Sequence, residues 1–261
     1  MHGEHGSWLS WLYEIKVGPH HLVPEWVPEA VPMSVLVILV LGVLVRLGMR
    51  RPQREPRGLQ NVIEWVFVAL ENTWRGILGG HAPRFAPFLS TLFIYILLMN
   101  WLGLVPGFKS PTANLNTTVA LALTVFIVVQ VYGVKENGFV GYAKHVTGEI
   151  WWLAPLMFPI HLIGELARPL SLSLRLFGNV SGEDRIILVL VALGTILFHR
   201  GMAGATEAVP YALAAPMIAL AMFTSLVQAY IFAMLTAVYL AGVVHGDEEA
   251  HAGSPASEQT A

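Results

Sequence analysis

Arg168-Pro-Leu-Ser-Leu-Ser-Leu-Arg175-Leu-Phe-Gly-Asn179-Val-Ser-Gly-Glu183-Asp184-Arg185 sets five charged side chains inside an apolar stretch running from about residue 150 to about 197. At 3.6 residues per turn, Arg168, Ser171, Arg175, Asn179 and Gly182/Glu183 fall on one helical face, while Leu170, Leu174, Phe177 and Ile187 point elsewhere. A central arginine costs about 2.5–3.5 kcal/mol even on the lowest membrane scales, so it needs a partner, a water-filled cavity or a route to the interface. Arg175 has no helix end within reach.

A second long apolar run, from about 211 to 244, carries Thr224, Gln228, Leu235 and Tyr239 at intervals near four, seven and eleven. Gln228 donates and accepts hydrogen bonds without carrying charge. Ala219, Ala221, Ala229, Ala233, Ala237 and Gly242 permit the close helix approach from which packing in lipid draws much of its energy. Both runs exceed what a perpendicular crossing needs, so the pair is expected as a strongly tilted hairpin.

Working outward, the whole chain has the composition of a membrane protein. Its 261 residues are 55% hydrophobic and 12% charged, with a mean hydropathy of +0.62, where soluble domains carry about a quarter charged residues. Fifteen basic against 17 acidic residues, scattered along the chain, exclude the concentrated basic surface that nucleic acid requires. With no cysteine there is no disulfide framework, thiolate nucleophile or thiolate metal site.

The expected class is all-α and integral to the membrane, with about five crossing helices and one amphipathic helix on the surface. Residues 1–30 form an external or interfacial segment, with Trp8, Trp11, Tyr13 and Trp26 suited to a headgroup boundary and no basic start of a cleaved signal. The membrane domain covers 31–244, and an acidic tail, 245–261, is expected to be cytoplasmic and disordered. The first crossing is 31–49. Arg46, Arg50, Arg51, Arg54, Arg57, Arg75 and Arg84 then form the densest basic stretch, which places that loop in the cytoplasm and the amino terminus outside. Within it, Leu59, Val62, Val66, Leu70, Trp74 and Ile77 make an apolar stripe with Gln60, Glu64, Glu71 and Arg75 elsewhere, the pattern of the surface helix. Further crossings run from about 87 to 105, stopped by Pro106-Gly107, and from Asn114 to about Val134.

Several chemistries are disfavoured. Ser171 and Ser173 have no base at suitable spacing for an intramembrane protease. No G-x-x-x-x-G-K-[ST] loop occurs, so any nucleotide would bind a partner. His2, His5, His20 and His21 fit a solvated terminus better than a metal site, and no metal or cofactor is expected. A transporter carrying a small anion to Arg175 would show paired interrupted helices in two related halves, and no internal repeat is visible. A bare scaffold would not need Arg, Asn and Glu in register. A structural ion pair of Arg175 with Glu183 or Glu165 is the remaining bland alternative, and such pairs are poor stabilisers.

The motif Arg175-Leu-Phe-Gly-Asn179 after Pro169-Leu-Ser-Leu-Ser-Leu, with Phe223-Thr-Ser-Leu-Val-Gln228-Ala-Tyr-Ile-Phe and the later Tyr239, resembles the two signature helices (150–244) of the a subunit of rotary, F-type ATP synthases. Ser110-Pro-Thr-Ala-Asn114-Leu-Asn116-Thr-Thr-Val-Ala-Leu-Ala-Leu is similar to that family's loop and third span, especially in its chloroplast-like branch. The resemblance covers roughly 87–244. It implies a stationary subunit, itself no enzyme, in a bacterial plasma (inner) membrane, set in the lipid bilayer beside a ring of c subunits and peripheral-stalk b subunits. It also implies two offset aqueous half-channels against the turning ring.

Arg175 matches the family's essential arginine. Asn179 and Gln228 match its polar neighbours, Glu183 and Asp184 the proton acceptors of the outer half-channel, and Asn114 and Asn116 polar residues of the same approach. Tyr239 matches a tyrosine further along the last helix. Two positions depart from the pattern. Ala221 stands seven residues before Gln228, where some branches carry His or Glu. His161 stands fourteen before Arg175 in place of a frequent Glu, with Glu165 one turn on, so the acids of the path are redistributed.

Overall fold

The computed structural model describes residues 16–17, 20–21, 28–50, 58–105, 107–147, 154–199 and 208–252. Six helices carry the fold: α1 (Ala30–Gly48), α2 (Leu59–Leu78), α3 (Ala82–Leu102), α4 (Leu115–Thr147), α5 (Ala154–His199) and α6 (Ala208–Ala252). The described sheet structure is a two-residue antiparallel ladder, Lys16–Val17 with His20–His21. Trp8, Trp11, Tyr13, Trp26, Arg51, Arg54, Arg57, Pro106, Arg200 and the tail beyond Ala252 lie outside the described residues.

The protein is all-helical and multi-pass. Four described stretches are long and apolar enough to cross a bilayer: Ala30–Gly48, Leu59–Leu102, Leu115–Glu136 and Ala214–Val243. α5, the fifth expected crossing, is long enough but carries charged residues along its middle and is not one of these four stretches. It spans 46 residues, and α6 spans 45. At 1.5 Å per residue each is about twice the length needed for roughly 30 Å of hydrocarbon.

Local departures from the sequence pattern have physical reasons. α2 and α3 are separated only by a 3-10 turn, Gly79–His81, where Gly79 adopts a φ of 53° that a side chain would resist. α3 therefore begins at Ala82 rather than near Pro87, and Pro87 is absorbed inside it. The expected stripe of α2 is enclosed along its later turns, where Trp74 is buried and Val66, Leu70 and Ile77 are partly buried. Its first two residues, Leu59 and Val62, are 47% and 59% exposed, and Gln60, buried beside them, donates to Glu64 Oε1 at 2.7 Å. α4 continues past Val134 and is broken by non-helical Gly138. α6 runs on through 245–252, where the tail was expected to be disordered. Helix propagation is cheap once a long helix exists, and Glu and Ala there are good formers.

The core lies where α2, α3, α4, α5 and α6 meet, around Trp74, Phe85, Leu89, Ile96, Leu176 and Phe232. Trp74 Nε1 donates to Ser90 Oγ at 3.0 Å, which answers the one polar atom of a large buried ring. α5 turns Leu172, Ser173, Leu176 and Val180 inward. α6 presses Ala221, Ala229, Ala233 and Ala237, all fully buried, against its neighbours, while Ala219 and Gly242 of the expected small-residue set face outward. α1 is the least enclosed helix, with Ile38, Leu39, Val43 and Leu47 more than half exposed, as suits a segment solvated by lipid. At one end of the bundle, Arg84 pairs with Glu136 of α4 and sits 5.1 Å from the centre of the Tyr132 ring, which joins α3 to α4.

Ala233→Leu should lower the thermal midpoint of the detergent-solubilised subunit by the equivalent of about 1–3 kcal/mol of overpacking. Ala219→Leu, on an exposed face, should leave it in place.

Candidate functional site

The outward-facing stripe of α5 is built by exclusion. Leu172, Ser173, Leu176 and Val180 take the inward positions, so Arg168, Ser171, Arg175 and Asn179 are turned to the exposed side. Arg175 makes no ion pair or hydrogen bond among the described residues. The bland alternative, a pair with Glu165 or Glu183, is therefore absent. Glu165 is engaged by a different cation: Arg168 Nη1 donates to Glu165 Oε1 at 2.7 Å, and Gln130 Nε2 of α4 donates to Glu165 Oε2 at 3.2 Å.

The two long helices are joined beside Arg175. Asn179 Nδ2 donates to Gln228 Oε1 at 2.9 Å. Gln228 is 3% exposed, and its amide nitrogen has no partner in the structure. The Gln228 amide thus keeps two buried N–H donors without an acceptor among the described residues. On the opposite, inward side of α5, two residues before Arg175, Ser173 Oγ and Thr118 Oγ1 of α4 lie 3.2 Å apart.

The predicted residues divide into two groups along α5. Toward its carboxyl end, Glu183 and Asp184 are half-buried neighbours. Thr224 of α6 lies against the Glu183 carboxyl, and Ser181 Oγ donates to the carbonyl of Ala113 at 3.3 Å. Asn114 caps α4: its Oδ1 accepts from the Asn116 N–H at 2.9 Å, a satisfied helix start. Asn116 itself is exposed. Toward the amino end, Glu165, Arg168 and Tyr239 line a small cleft with Ala122, Phe126 and Leu172, between α4, α5 and α6. The Arg168 guanidinium lies 5.1 Å from the centre of the Tyr239 ring. His161 is in α5, with its side chain outside the described residues.

The arrangement is an unpaired cation on an exposed face, an amide bridge beside it, the Glu183–Asp184 pair toward the carboxyl end of the helix and the Glu165–Arg168 ion pair toward its amino end. The residues that the sequence reading did not single out are Gln130, Thr118, Ser181 and the acceptor carbonyl of Ala113. Only Gln130 carried a visible signal, as a lone amide in the apolar run of α4.

A family model for the ATP synthase A chain matches residues 31–241. The chain belongs to that family. It is 41% identical over 223 residues to ATP synthase subunit a of Trichlorobacter lovleyi, covering 85% of this chain and 89% of the relative. The corresponding figures for subunit a of Geobacter sulfurreducens are 38%, 85% and 89%, and for subunit a 3 of Pelobacter propionicus 38%, 90% and 94%. As a member of the ATP synthase A chain family, the protein is the proton-translocating stator subunit of the Fo membrane sector and is not itself the catalytic unit.

A double-mutant cycle on Asn179→Leu and Gln228→Leu, read by unfolding in detergent, should give a coupling of about 0.6 kcal/mol and no more than about 1.7. Zero coupling would mean that the amide bridge does not hold α5 to α6.

Proposed function

We propose that Arg175 is the fixed cation met by the mid-membrane carboxylate of each passing c-ring subunit, and that it separates two half-channels. The observation that supports this reading is the unpaired guanidinium on the exposed face of α5, which no acid among the described residues reaches. A guanidinium stays protonated at any relevant pH, so it draws a ring carboxylate into its ionised form without exchanging a proton itself. A proton therefore cannot slip directly between the half-channels. It loads onto the ring on one side of Arg175 and leaves on the other after nearly a full turn. Each passage releases about 2.3 kcal/mol per 100 mV of membrane potential, plus the pH contribution.

Glu183 and Asp184, with Asn114 and Asn116 near the start of α4, form the outer approach in this reading. Glu165, His161 and Tyr239, toward the opposite end of α5, form the inner one. Asn179 and Gln228 hold the two helices in register and offer amide donors beside the arginine. The placement follows from an external amino terminus and cytoplasmic carboxyl terminus in a bacterial plasma membrane, an orientation supported by the Arg-rich segment between α1 and α3. The b subunits of the peripheral stalk are expected to hold this chain against rotation. Nucleotide and nucleic acid are not its ligands in this reading. The likeness to a chloroplast-like branch rests on the 110–123 stretch alone; the relatives named above are deltaproteobacterial.

In vesicles carrying the assembled complex, Arg175→Ala should abolish proton-driven ATP synthesis and open a proton leak. Arg175→Lys should also fail, because a desolvated ammonium can lose its proton. Normal synthesis in Arg175→Ala would overturn the assignment. Glu183→Gln combined with Asp184→Asn should slow proton uptake from the outer face without a leak, and unchanged pumping would remove both from the path.

A further inference from the structure

The turn before α4 is held by a buried chain of polar groups that none of the roles above uses. Thr112 is fully buried, Asn100 of α3 is 2% exposed and Ser110 is 4% exposed. Thr112 Oγ1 lies 2.6 Å from Asn100 Oδ1, Ser110 Oγ lies 2.7 Å from Thr112 Oγ1, and Ser110 Oγ donates to the Met99 carbonyl at 3.1 Å. Each hydroxyl has a single proton. With Ser110 donating to Met99, Thr112 must donate to Ser110, and Asn100 must then donate to Thr112. That order requires the Asn100 amide to present its nitrogen, not its oxygen, to Thr112, since in the other orientation Asn100 Nδ2 is a buried nitrogen without a partner. Exchanging the two amide atoms satisfies all three bonds in one direction, Asn100 to Thr112 to Ser110 to Met99.

Backbone packing seals the same spot. A Cβ on Gly103 would stand 2.5 Å from Ser110 Cβ and 2.9 Å from the Ser110 nitrogen. The Pro111–Ala113 turn held in this way touches α1, α3, α4 and α5. The Ala113 carbonyl accepts from Ser181, two residues before Glu183, and the next residue, Asn114, caps α4. One rigid turn thus fixes the end of α4 against the acidic end of α5.

We propose that Asn100, Thr112 and Ser110 are positioning residues for proton uptake, holding the 110–113 turn as the fixed outer rim of the passage to Glu183 and Asp184. The proposal rests on the outer half-channel assigned above. Its chemistry is uncharged throughout: the relay holds geometry and passes no proton to the ring.

The test uses proteoliposomes carrying the complete complex, with the lumen equivalent to the outer face, and measures initial ATP synthesis against luminal pH at fixed membrane potential. Thr112→Val keeps the shape and removes the hydroxyl. It should shift half-maximal synthesis to about tenfold higher luminal proton concentration, while the saturated rate stays near that of the parent. Thr112→Ser should restore the parent profile, and Ser110→Ala should shift it as Thr112→Val does. An unmoved profile, or an equal loss of rate at every luminal pH, overturns the proposal. So does loss of assembly in both Thr112→Val and Ser110→Ala with Thr112→Ser intact, since the relay is then a folding element only. The Glu183→Gln, Asp184→Asn pair, measured alongside, separates the two ideas. If that pair leaves the profile unmoved, the outer half-channel assignment falls. If it moves the profile and Thr112→Val does not, only the positioning role falls.

Discussion

A permanent positive charge in hydrocarbon has to be answered, and among the described residues nothing answers Arg175. Several other cations in the described protein have partners: Arg168 has Glu165 and Tyr239, Arg84 has Glu136, Arg75 has Glu71 and Lys109 has Glu29, whereas Arg46, Arg50, Lys135 and Arg185, nearer the helix ends, share with Arg175 the lack of a partner among the described residues. Arg175 is left on the open face of α5. The cost, about 2.5–3.5 kcal/mol or more, is recovered only when something outside the chain brings charge or water to it. The rest of the bundle then serves to hold α5 with that face outward.

The holding is done by small contacts in the right places. Fully buried alanines let α6 pack closely on its neighbours, the Asn179–Gln228 amide bridge sets the register of α5 on α6, and the Thr118–Ser173 contact sets α5 against α4. None of these is worth much alone, since side-chain hydrogen bonds in lipid average about 0.6 kcal/mol. Together they leave α5 little freedom to rotate about its own axis, which is the motion that would take Arg175 off the exposed face.

Much of this was legible in the sequence, because charge inside an apolar run is so costly that its position carries information. The stripe from Arg168 to Asn179 was legible as one polar helical face, which the structure turns outward together with Leu170 and Leu174, and the hydrophobic period placed α2 at its observed limits, 59–78. Side-chain detail was less legible. Which of two arginines seven residues apart would find an acid was not visible, because Glu165 is one turn from Arg168 and its second partner, Gln130, comes from another helix. The stripe of α2 held from Val66 to Ile77 but not in its first turn, where Leu59 and Val62 are exposed and the polar Gln60 is buried. The Asn100, Ser110 and Thr112 relay escaped notice because three common polar residues in two separate segments have no period. Helix ends were misplaced wherever a long helix simply continued, as at 245–252.

The contrast between the backbone of α5 and the tip of Arg175 has a mechanical consequence. Leu172, Leu176 and Val180 clamp the helix into a stiff rail, whereas the guanidinium sits at the end of a flexible, untethered arm. A charged group carried past on a moving surface can be followed by that arm over several ångströms without any strain reaching the rail. The stator thus combines rigidity against load with compliance at the point of contact, and small misalignments between stationary and moving parts need not interrupt the electrostatic grip.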